Sequence, residues 1–110
     1  MPLLMKSACV VLVTFPAEEP AVACARALVD EGLAACVNII ARVRSIYRWK
    51  GAVSDENEIL CVIKTTRERF EALRARVVTM HPYEVPEVIA LGVEAGHEPY
   101  LDWLAGAVLK

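Results

Sequence analysis

Residues Ala8 to Phe15 form an apolar run interrupted only by Thr14, rich in valine and closed by Pro16, as expected of a central strand buried on both faces. Helical spacing follows. Pro20 suits a first helical position, Ala21, Ala25, Leu28 and Val29 make a narrow stripe, and Gly32 is placed for the left-handed turn that ends a helix. The small side chains on that stripe predict close packing on a sheet. Residues 36–49 then alternate. Val37, Ile39, Ala41, Val43, Tyr47 and Trp49 share one face, and Asn38, Arg42, Arg44 and Arg48 share the other.

Gly51 marks a turn, and a partner strand runs from Val53 to Thr65 with Ile59, Cys61 and Ile63 as its apolar set. For both apolar sets to face one core, Val43 must oppose Ile59 and Ile39 must oppose Ile63. That register needs a three-residue loop, Lys50-Gly51-Ala52, and sets Arg44 opposite Glu58 as an attractive pair. Strands this long overhang a small domain. Thr65-Thr66-Arg67-Glu68 has capping-box spacing, with Thr65 as cap and Glu68 reaching back, and Phe70, Leu73, Val77 and Met80 continue a helix that Pro82 stops. Val85 to Val93 reads as a final strand with Pro86 near its start. Pro99 opens a last helix whose apolar face is Tyr100, Leu101, Leu104 and Val108, with Trp103 beside it.

The order β-α-β-β-α-β plus a C-terminal helix predicts one α+β domain over 1–110. It is a ferredoxin-like sandwich, a four-stranded antiparallel sheet with helices on one face. The other sheet face would carry Ala8, Val10, Leu12, Ile40, Ile46, Leu60 and Val62 among arginines, too apolar to meet water. Self-association is expected. An apolar content of 56% in 110 residues points the same way.

A net charge of −2 supplies no basic face, so nucleic acid is not an expected partner. No run is long enough to span a membrane. Lys6 and the apolar run after it imitate a secretory signal, but the same run serves as a buried strand, which is the preferred reading. Cys9, Cys24, Cys36 and Cys61 show no C-x-x-C spacing and lie on apolar segments, as reduced thiols of a cytoplasmic protein would. No nucleophile–base spacing, phosphate loop or zinc signature suggests an enzyme.

The densest chemistry lies in His81-Pro82-Tyr83-Glu84-Val85-Pro86-Glu87, where two prolines hold imidazole, phenol and carboxylates on a stiff segment. For His81, a hydrogen bond to a backbone carbonyl or to Glu87 competes with metal ligation. Tyr47, Trp49, Tyr83, Tyr100 and Trp103 suit packing and interfaces. A sharper reading joins Tyr47, Trp49, Glu58, Lys64, His81, Tyr83 and Glu87 in an intersubunit pocket for a small ligand or ion.

Five segments in order resemble the CutA family of divalent-cation-tolerance proteins. They are Leu33-Ala34-Ala35-Cys36-Val37-Asn38, Ser45-Ile46-Tyr47-Arg48-Trp49-Lys50-Gly51, Glu58 with Lys64-Thr65, the 81–87 segment, and Tyr100-Leu101-Asp102-Trp103. The resemblance implies a homotrimer similar in architecture to PII signalling proteins, with long hairpins pairing between subunits. It also implies a link to copper or another divalent cation. The copper site proposed for the family uses a cysteine late in the first strand and two adjacent histidines ending the second helix. Here Val13 and Met80 stand at two of those positions and His81 at the third, leaving a Met80–His81 pair of the kind that suits Cu(I). A PII-like signalling or scaffold module without direct metal coordination is the alternative.

Overall fold

The structure, a computed structural model, describes residues 7–108. Lys6, the charge in the signal-like reading, lies outside the described residues. The elements are β1 (Ala8–Phe15), α1 (Glu18–Asp30), β2 (Cys36–Trp49), β3 (Ala52–Thr66), α2 (Arg67–Met80), β4 (Ile89–Gly92) and α3 (Glu98–Ala107). The strands form one antiparallel sheet in the order β2-β3-β1-β4, the ferredoxin-like arrangement. Its core lies under α1 and α2, where Val11, Val13, Phe15, Cys61 and Ile63 meet Ala21, Cys24, Leu28, Leu73 and Val77.

Local chemistry explains most element ends. α1 begins two residues before Pro20, which is tolerated because N–H groups of a first turn have no intrahelical acceptor. Gly32 takes φ 71°, the left-handed geometry expected of it. At α2 the capping box does not form. Thr66 is the cap residue and makes no side-chain cap bond. Thr65 pairs with Cys9 within the sheet, and its buried hydroxyl donates to the Leu33 carbonyl at 2.7 Å. Its place in the ladder directs that hydroxyl into the core and away from the helix terminus.

The hairpin turn is tighter than its sequence pattern predicts. Trp49 opposes Ala52, so the loop is Lys50-Gly51 alone, with φ 50° and 81°, the positive pair a type I′ turn requires. Val43 therefore opposes Glu58, Arg44 opposes Asn57, and Ile39 opposes Cys61. Arg44 pairs instead with Asp55, on the diagonal, at 2.7 Å. Between Ile40↔Leu60 and Val43↔Glu58, Ala41 and Arg42 face the single residue Ile59, which makes a β-bulge. The bulge resets the alternation. Val37 and Ile39 pack on the core, whereas Val43, Tyr47 and Trp49 fall on the side of Glu56 and Glu58. The single face read from the sequence is thus two.

The hairpin gives the chain a 46 Å long axis against 25 and 22 Å for the others. β1 pairs with β3 only from Ile59 to Thr66, so Ala52–Glu58 has β2 as its sole neighbour among the described residues. β4 is shorter than expected because only residues 89–92 pair with β1. Unlike α1 and α2, α3 packs on the opposite sheet face, where Leu101 and Leu104 cover Ala8 beside Val93 and Ala35. It covers only one end. In a row across that face Ile89 opposes Leu12 and Leu12 opposes Val62, while Ile40, Ile89 and Leu91 are exposed. Ile46, expected there, opposes Asp55 beyond the bulge and so falls on the other face.

Candidate functional site

β1 stops at Phe15, opposite Ile59, and the next residue of β3 toward the turn is Glu58. The proline-stiffened segment 81–87 approaches this point through two side chains, His81 on Phe15 and Tyr83 on Glu58. His81 ends α2 and stacks on Phe15, with ring centroids 4.3 Å apart. Its Nε2 lies 2.7 Å from the Thr14 carbonyl oxygen, and its Nδ1 accepts the Tyr83 backbone N–H at 3.0 Å. An acceptor role for Nδ1 puts the proton on Nε2, so the ring is neutral and bonded at both nitrogens. Burial lowers its pKa, outweighing the Thr14 carbonyl and the Glu58 charge, which act the other way.

This staple aims Tyr83 at Glu58. The phenol donates to Glu58 Oε2 at 2.7 Å, and Glu58 is itself 6% exposed. Burial, followed by the bond to Glu58, raises the Tyr83 pKa and keeps it a neutral donor. Glu87 is pushed up as well, by burial first and by the Glu58 charge second. On the hairpin side, the Tyr47 hydroxyl donates to Glu56 Oε1 at 2.7 Å, and Lys50 Nζ stands 5.9 Å from the Trp49 ring centroid.

A cleft of about 700 Å³ opens between hairpin and segment. Tyr47, Trp49, Glu58, Tyr83 and Glu87, all singled out from sequence, line it. Lys64 does not. It lies across the open sheet face, opposite Cys36 and Val10, and donates to Asn38 Oδ1. Sequence reading missed Thr14, Arg44, Ser45, Ile46, Lys50, Glu84 and Val85 as wall residues. Glu84 and Val85 were legible as members of the stiff segment; Arg44 and Lys50 depend on the true hairpin register.

The Met80–His81 pair does not present a chelate. Both imidazole nitrogens are engaged, Met80 packs partly buried against the core, and Val13 is fully buried with no donor atom. Among the described residues no three His, Cys, Asp or Glu side chains converge as a metal set. What the arrangement offers is an aromatic, carboxylate-bearing recess, with Arg44 held by Asp55 through Nε at 2.8 Å and Nη2 at 2.7 Å.

Residues 9–107 match the family described as CutA1 divalent ion tolerance protein. The divalent-cation tolerance protein CutA of Thermus thermophilus is 53% identical over 95 residues, covering 86% of this chain and 92% of that protein. Mouse protein CutA is 51% identical over 92 residues, covering 84% of this chain but 52% of its own, so the chain spans about half of that relative. Among solved structures, the Cut A1 protein of Thermus thermophilus superposes with TM-score 0.90 at 50% identity, over 92% of this chain and 98% of that one. CutA1 of Oryza sativa gives 0.92 at 39% identity, over 97% and 98%. With a match across nearly all the described residues, this chain belongs to the CutA1 divalent-ion-tolerance family.

Proposed function

We propose that this chain is one subunit of a homotrimer serving divalent-cation tolerance, and that it works by capturing a ligand in the cleft between hairpin and segment 81–87 and not by catalysis. The observation that carries this reading is the cleft itself, where Tyr47, Trp49, Glu58, Tyr83 and Glu87 converge from three separate stretches of chain. Assembly is supported by the uncovered apolar sheet face and by the unshared edge of β3. Free thiols, three of the four buried, suit the reducing cytoplasm, which we take as its compartment.

A divalent cation is the ligand class that the family name suggests, and copper is the candidate carried over from the sequence resemblance. Binding through His81 and Met80 would require the imidazole to give up either Thr14 or the Tyr83 N–H. That requirement favours the second reading, a PII-like signalling or scaffold module that takes a small ligand or a partner protein at the cleft without coordinating metal directly. Titration of the reduced protein with Cu(I), Cu(II) and Zn(II), alongside His81→Ala and Met80→Ala, separates the two. Unchanged stoichiometry in both variants removes these residues from metal binding; loss in both restores them. Light scattering tests the trimer, and a stable single-chain species at micromolar concentration would contradict it.

A further inference from the structure

We infer that the cleft takes a small organic cation, an aliphatic amine or polyamine in its ammonium form. This rests on the reading of the cleft as a ligand site and adds the chemistry of what fills it. Three aromatic rings, Tyr47, Trp49 and Tyr83, share the walls with three carboxylates, Glu58, Glu84 and Glu87. The cations there are Arg44 and Lys50, and Arg44 is already closed on Asp55 through two hydrogen bonds. Rings facing carboxylates suit a ligand that is positive at the nitrogen and apolar along its carbons, because the quadrupole of each ring face attracts cations. One ring already shows this preference, with the Lys50 ammonium over Trp49.

Glu58 points to the same ligand independently. It is more than nine-tenths buried on the cleft wall, with Oε2 occupied by the Tyr83 phenol. No hydrogen bond reaches Oε1 among the described residues. That oxygen keeps contact with solvent on the cleft wall, and an ammonium N–H reaching it there would replace water with a charge-assisted hydrogen bond. Glu87 is crowded by the same charge, and a cation between the two would relieve that crowding. A bare metal ion fits less well. The carboxylates do not converge on one point, and the volume is that of a small-molecule site. An organic anion would meet three carboxylates.

The test is calorimetry on the assembled full chain at low salt, with spermidine as the cationic probe and succinate as the anionic one. Saturable spermidine binding is expected, weakened about tenfold or more by Glu58→Gln and by Trp49→Leu, because a partly buried charge-assisted contact is lost in each. Lys64→Gln, outside the cleft, should leave binding within about twofold, as expected of a surface site remote from the ligand. Glu87→Gln, a substitution at an exposed position, should weaken binding severalfold and covers the case in which Glu58→Gln fails to fold. Absence of saturable spermidine binding, or binding indifferent to Glu58→Gln, Glu87→Gln and Trp49→Leu, overturns the proposal. Succinate binding abolished by Trp49→Leu would overturn the amine while keeping the cleft as a ligand site. If neither probe binds and Trp49 in a Trp103→Phe background is shielded from acrylamide in the assembly, a neighbouring subunit fills the cleft and both readings fall.

Discussion

Tyr83 and Glu58 meet at 2.7 Å, phenol to carboxylate, where the sheet loses a strand. The pair joins the stiff segment after α2 to the midpoint of the hairpin, and nothing in their separation along the chain announces it. Glu58 is buried at that point because Tyr83 and His81 occupy the space where water would otherwise reach it.

Replacing Tyr83 with Phe keeps the ring and deletes the one hydrogen-bond donor that reaches the Glu58 carboxylate among the described residues. The loss should be about 1.5–3 kcal/mol, the range for hydrogen bonds to charged groups. Urea unfolding of the assembled protein at fixed concentration checks it, and an unchanged midpoint would place the Glu58 charge in contact with water.

His81 should make stability depend on pH. Its folded pKa lies below the ordinary 6.5, so between the two values the unfolded chain binds the extra proton. Stability then falls as pH drops through 6.5 and levels off below the folded value. Glu87 acts in the opposite sense. Its folded pKa is raised above 4.5, so its contribution is full below that and fades as pH rises through the folded value. The difference between wild type and His81→Gln, followed by urea midpoints from about pH 8 to about pH 5, isolates the imidazole. The variant should show the flatter dependence.

Thr65 and Glu68 separate two accounts of the start of α2. Thr65→Val leaves the Leu33 carbonyl without its buried donor and should cost about 1–3 kcal/mol. Glu68→Ala, with no capping bond to lose, should stay within about 0.5 kcal/mol. A larger loss for Glu68 would revive the capping box. Thermal melts of both variants decide it.

One chemical change at two glycines should give opposite signs. A methyl group at either Gly51 or Gly106 meets nothing within 4 Å. At Gly51 the cost is backbone alone, since φ is +81°, and Gly51→Ala should destabilise by about 1 kcal/mol. Gly106 lies in the last turn of α3, so Gly106→Ala should gain up to about 0.5 kcal/mol. Melting temperatures moving in the same direction would refute the backbone argument.

Much of this architecture was legible from periodicity alone. The valine-rich first strand, both long hairpin strands, the helix over Phe70 to Met80 and the Gly32 turn are set by local pattern, and local pattern is what a sequence displays. The errors share one cause. Hairpin register was inferred by keeping every apolar residue on one face, whereas a bulge at Ala41–Arg42 lets one strand serve two faces. That slip put Arg44 against Glu58 and hid the Asp55 pair. Lys64 joined the predicted pocket through its neighbours in a motif, yet the pleat sends it to the open sheet face beside Val10 and Asn38. The Thr65 hydroxyl was misassigned for a related reason, because side-chain direction follows the ladder in which a residue sits.

The same irregularity in β2 has an implication for how such a hairpin can change. Excising one residue at Ala41 or Arg42 would restore strict alternation with both parts of the ladder kept, Val37 and Ile39 opposite Ile63 and Cys61, and Tyr47 opposite Ser54. The extra residue thus sets the bend and twist of the ribbon and not the side on which Tyr47 and Trp49 stand, so its removal would change the angle of the outer half alone.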